Sequence, residues 1–169
     1  MATLVLTVVG ADRAGLVAAV AGEVDAHGAN WENSQLAELA GAFAGIIEVS
    51  VDEARVASLR AALAEIPGLV TVTLPTTGSS RGSRDRRFAV SVLGNDRPGI
   101  VREVSTTLSR RGFGIERMTT EVRDAPMAGG RVFEATIVAI SAASADPDDL
   151  ATGLEQLANE LQVDIAPLD

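Results

Sequence analysis

Two aspartate–arginine pairs, each framed by glycines, are the residues of this chain best suited to chemistry. Gly10-Ala11-Asp12-Arg13-Ala14-Gly15-Leu16 and Gly94-Asn95-Asp96-Arg97-Pro98-Gly99-Ile100 lie about half a chain apart in 169 residues. Each follows an apolar, β-prone run and precedes a helical stripe, so each loop joins a strand to a helix start. The first amides of a helix have no intrahelical acceptor, and with the helix dipole they suit a carboxylate or another small anion. Asp12 and Asp96 can accept from an ammonium group, and Arg13 and Arg97 can donate to a carboxylate. Such a pairing of donors and acceptors suits a free amino acid. Asn30, Glu32 and Glu116, on the strand after the helix, are candidates to reach a loop of a neighbouring unit. In this reading Gly10 and Gly94 permit a tight turn, while Gly15 and Gly99 allow close approach of backbone or ligand. A structural reading stands beside it, in which the aspartates cap their helices and the glycines serve helix-to-sheet packing. The dinucleotide fingerprint is excluded, because its second glycine is missing.

Little else in the sequence invites catalysis. The chain has no cysteine and no lysine, which removes thiolate and Schiff-base chemistry and any P-loop lysine. His27, the only histidine, precedes Gly28 as Arg111 precedes Gly112, a position where a polar or cationic group favours a helix C-terminus. Trp31 aligns with Ile115 and reads as a core or interface anchor. Asp146, Asp148 and Asp149 read as a helix start, since the glycine of a calcium loop is absent. Arg81, Arg84, Arg86 and Arg87 have no interleaved aromatics and read as a solvated tether. A non-catalytic protein without metal or cofactor is the expectation.

Charge and hydropathy narrow the partners. The net charge of −9 argues against direct nucleic-acid binding, which draws its affinity from neutralising phosphates. The acidity is uneven: three arginines meet nine acids through Gly78, so the first half carries about −6 and the rest about −3. No apolar run is long enough for a membrane span and no signal peptide is apparent, so a cytoplasmic protein is expected.

The elements that must position the loops repeat with them. Thr3–Val9 predicts a strand, Ala14–His27 a helix, Asn30–Ala40 and Ala42–Val51 a hairpin, Asp52–Ile66 a helix and Leu69–Leu74 a strand. The second half runs through Arg87–Leu93, Pro98–Arg111, Ile115–Arg123, Arg131–Ile140, a helix opening at Ser144–Asp149, and Gln162–Pro167. In that last helix Leu150, Leu154, Leu157 and Leu161 form the buried stripe. Strand, helix, strand, strand, helix, strand, taken twice, predicts an α+β protein of two tandem ferredoxin-like (βαββαβ) units. Each unit has an antiparallel sheet with helices on one face. The expected domains are 1–75 and 87–169, joined by an Arg/Ser/Gly linker over 76–86. In this plan the second strand lies at a sheet edge, and edge pairing between halves or chains would cover it. Units this small also favour association, so a homo-oligomer is expected.

Asn95-Asp96-Arg97-Pro98-Gly99-Ile100-Val101 resembles the Asp-Arg-Pro-Gly-Leu opening of the ACT domain family, amino-acid-sensing modules of ferredoxin-like plan. The first copy departs from it, with Ala14 where proline is customary. The duplication, His27-Gly28-Ala29-Asn30-Trp31-Glu32-Asn33-Ser34 and Leu39–Gly45 resemble a narrower group, the glycine cleavage system transcriptional repressor family. The resemblance spans nearly the whole chain apart from the linker. It implies a regulator without a DNA-reading domain, acting on a partner transcription factor in response to a small amino acid such as glycine. It places the ligand at Gly10–Leu16 and Gly94–Ile100, with Asn30 and Glu32 in support. A ligand-free assembly module and a regulatory subunit of an amino-acid enzyme are the alternatives.

Overall fold

A computed structural model describes residues 1–75, 86–125, 129–141, 144–157 and 161–168. The chain divides into two compact units, Met1–Ser79 and Ser80–Asp169.

In the first unit β1 (Ala2–Ala11) leads into α1 (Leu16–Ala26), then β2 (Asn30–Leu39), β3 (Ala42–Val51), α2 (Val56–Ala64) and β4 (Leu69–Pro75). The sheet is antiparallel in the order β2-β3-β1-β4. The alternation of β1 sends Leu4, Leu6 and Val8 inward, where they meet Ile47, Val49 and Val51 of β3. Leu16, Val20 and Val24 of α1 and Leu59 and Leu63 of α2 close the core, as their helical spacing requires. Trp31, half-buried, packs against the same core. The sequence suggests one helix from Asp52. The structure instead opens with a 3₁₀ turn over Glu53–Arg55, because the Asp52 carboxylate accepts from the Ala54 amide.

The second unit repeats this plan with β5 (Arg86–Asn95), α3 (Ile100–Arg110), β6 (Phe113–Asp124), β7 (Arg131–Ser141), α4 (Pro147–Glu155) and β8 (Gln162–Leu168). Its sheet order is β6-β7-β5-β8. Asp146 caps α4 by accepting from the Asp148 amide, with proline in the first turn. The helix ends at Glu155, so Leu157 and Leu161 lie beyond it, yet both still pack against the core. Arg86 and Arg87 belong to β5, not to a solvated tether. Arg86 lies 5.0 Å over the Phe88 ring, and Arg87 pairs with Glu116. Arg81, Arg84 and the rest of 76–85 lie outside the described residues.

One feature repeats at the edges. Both second strands carry a bulge, and the extra residue is Glu32 in one and Glu116 in the other. Of the two helices after the loops, only α1 is closed by its own polar group. His27 Nδ1 donates to the Glu23 carbonyl at 2.8 Å, whereas Arg111 Nε reaches across to the Asp149 carbonyl in the first turn of α4 at 2.9 Å.

Candidate ligand-binding site

Both loops adopt the same backbone. Gly15 and Gly99 are the N-cap residues of α1 and α3, at φ 89° and 86°, a left-handed geometry that side chains resist. The roles assigned from sequence are therefore exchanged. The turn is made by Gly15 and Gly99, whereas Gly10 and Gly94 remain in their strands, paired to Phe43 and Phe133. Gly10 is the close-approach glycine, since an added Cβ would collide with the Gly68 carbonyl oxygen.

The structure also decides against helix capping by the aspartates. Glycine occupies the N-cap in both units, and no side chain bonds to a first-turn amide there. Among the described residues, the amides of Leu16, Val17 and Ala18 in one unit and Val101 and Arg102 in the other have no acceptor. Each loop is instead anchored through backbone. The Asp12 amide donates to the Gly41 carbonyl at the β2–β3 turn, and the Asp96 amide to the Arg131 carbonyl at the β6–β7 turn, both at 2.8 Å.

The charged side chains diverge. In the second unit Arg97 makes a two-pronged pair with Glu103, at 3.0 and 2.6 Å. That hydrogen bonding raises the Arg97 pKa and lowers the Glu103 pKa. Asp96 lies 3.6 Å from Arg131. In the first unit Arg13 donates only to the Pro67 carbonyl, at 2.8 Å. Among the described residues neither Asp12 nor Arg13 has an oppositely charged partner.

Beside Arg13 an open cleft of about 630 Å³ runs between α1 and the end of α2. Ala19 and Glu23 line it from α1, Ala62 from α2, and Glu65, Ile66, Pro67 and Gly68 from the segment between α2 and β4. None of these residues except Arg13 was expected from sequence. The available signal was topological: in the ferredoxin-like plan the turn before the last strand lies beside the first loop.

Asn30 and Glu32 are not brought to the loop of their own unit. Asn30 pairs with Ser50, which pairs with Thr3, eight residues before the loop leaves at Ala11. That is about 25 Å along the sheet at roughly 3.3 Å per residue. Glu32 accepts from Asn30 at 2.9 Å and from Ser50 at 2.5 Å, and the Ser50 bond is the main cause of its lowered pKa. Glu116 is engaged by Arg87, with one bond at 3.1 Å.

Residues 2–72 match the family model of the ACT domain. The first unit is an ACT domain. The second repeats its strand order, bulge and loop, so the chain carries two tandem ferredoxin-like units. A protein of unknown function from Galdieria sulphuraria has the same fold, with a TM-score of 0.83 at 26% identity over 99% of both chains. A candidate glycine cleavage system transcriptional repressor aligns with a TM-score of 0.70 at 20% identity, over 99% of this chain and 98% of that one. Comparison with curated proteins found no match. Among the described residues, no helix is long and apolar enough to cross a membrane, and no cluster of metal-ligating side chains occurs.

Proposed function

We propose that this protein is a non-catalytic, amino-acid-responsive regulator. In this reading a small amino acid, glycine first among them, binds at an ACT loop and alters how the protein engages a partner regulator of transcription. The observation that carries it is the loop itself. A left-handed glycine leaves helix-start amides without acceptors beside an arginine and an aspartate, a set that matches a zwitterion. The ACT match over the first unit and the likeness to a candidate glycine cleavage repressor support the same reading. The mechanism is linkage: a ligand that prefers one conformation shifts the population, and the partner discriminates between conformations. A cytoplasmic homo-oligomer that contacts no nucleic acid directly completes the proposal. A thermal-shift screen with the free amino acids tests it, because a ligand of the folded state must raise apparent stability. Glycine is expected to raise the melting temperature, and a screen in which no amino acid does so rejects the reading.

A second reading, a ligand-free assembly module, is favoured by one observation. The sheet face of the first unit turned away from its core exposes Val9, Ile46, Val70, Val72 and Leu74, an apolar patch of the kind that marks association. Light scattering on Val72→Glu tests whether this face holds the assembly together, and amino-acid dependence separates the readings. Pure assembly predicts that dissociation removes function, with no amino-acid dependence before or after.

A further inference from the structure

The internal repeat supplies its own control experiment. Arg13 and Arg97 occupy equivalent places, as do Leu16 and Ile100, and in the same register Ala19 corresponds to Glu103. Where the second unit carries a carboxylate that grips its loop arginine, the first carries a methyl group that lines an open cleft. We propose that the first unit alone holds the amino-acid site of this chain. Glu103 acts in the second as a built-in occupant of the loop arginine. This rests on the amino-acid-responsive reading above.

The chemistry follows from the charges around the cleft. Arg13 spends one N–H on the Pro67 carbonyl and keeps the rest of its planar fork for a carboxylate. Glu23 on α1 and Glu65 just after α2 supply acceptors for an ammonium group. Ala19 and Ile66 leave an apolar floor between the two poles. One cation and two anions around one cleft describe a zwitterionic α-amino acid, carboxylate on Arg13 and ammonium on Glu23 and Glu65. In the second unit a ligand carboxylate would have to displace Glu103 from a two-pronged, charge-assisted bond. Being tethered, that carboxylate acts at high effective concentration. Arg97 is therefore silent towards free ligand.

Titration calorimetry on the full chain, using the amino acid with the largest thermal shift as probe, tests the assignment. One molecule per chain is expected. Ala19→Glu should install the second unit's pairing in the first and weaken binding by about tenfold or more. Glu103→Ala should leave the affinity of the first site unchanged. Glu65→Gln, at an exposed position, should weaken binding by roughly fivefold or more, and it decides the matter if Ala19→Glu fails to give a native circular dichroism spectrum. Two molecules per wild-type chain, or wild-type affinity in Ala19→Glu or Glu65→Gln when folded, would overturn the assignment while the regulatory reading survives. If no amino acid binds the wild-type chain, both fall together.

Discussion

The two units share a backbone and differ in how their charges are committed. In the second, Arg97 is held by Glu103 and Asp96 faces Arg131. In the first, Gly41 occupies the hairpin position of Arg131 and Ala19 that of Glu103, and among the described residues Asp12 and Arg13 have no oppositely charged partner. The open faces of the sheets differ in the same sense. The first shows Ile46, Val70 and Val72, where the second shows Thr136, Gln162 and Asp164. The scaffold is thus shared, and the proposed division of labour rests on these differences. One copy satisfies itself, and the other retains unsatisfied charge and apolar surface, the two commodities from which recognition is built.

The largest effects should come from the shared scaffold and should not distinguish the units. Leu59→Ala and Leu150→Ala each empty a fully buried site and are expected to cost about 2–5 kcal/mol by chemical denaturation. A loss confined to one of them would show that the cores are not equivalent. Smaller, and again paired, is the strain at the loop glycines. Gly15→Val and Gly99→Val force a β-branched residue into a left-handed conformation, at roughly 1–3 kcal/mol each. Only Gly15→Val should also reduce amino-acid binding, and equal losses would break the comparison.

The smallest effects are electrostatic, and the one that distinguishes the units belongs to the second. The Arg97 partner lowers the Glu103 pKa below its ordinary 4.5 in the folded protein. A depressed carboxylate contributes stability that is present above the unfolded pKa and lost as pH falls through the folded one. The stability difference between wild type and Glu103→Gln should therefore shrink towards zero on acidification below about pH 4.5. A pH-independent difference, followed by denaturation at stepped pH, would mean that the pair is not formed. Glu32 should show a lowered midpoint by carboxyl-detected NMR, and Ser50→Ala should restore much of it, because Ser50 is the largest cause.

Much of the fold is legible because it rests on periodicity. The inward stripe Leu4, Leu6, Val8 and its repeat Phe88, Val90, Val92 are buried as alternation requires, and the hairpin Asn30–Val51 follows from its own pattern. The loops are legible as motifs, but their glycine roles are not. Whether Gly10 or Gly15 takes positive φ depends on where the strand stops pairing, and β3 and β4 hold β1 to Gly10 and beyond. The cleft is illegible for a related reason. Arg13 meets Pro67 across 54 residues, a contact fixed by topology and unseen by local spacing. The Arg97–Glu103 pair is six residues apart, across a loop and a helix turn, where no standard helical spacing flags a partner.

The division of labour is tested most directly by an amide NMR titration of the full chain with the amino acid selected by thermal shift. The account predicts saturable shifts at Arg13, Leu16, Ala19 and Gly68, with Arg97, Ile100 and Glu103 unmoved. Equal perturbation of both loops, or shifts confined to the second, would contradict it.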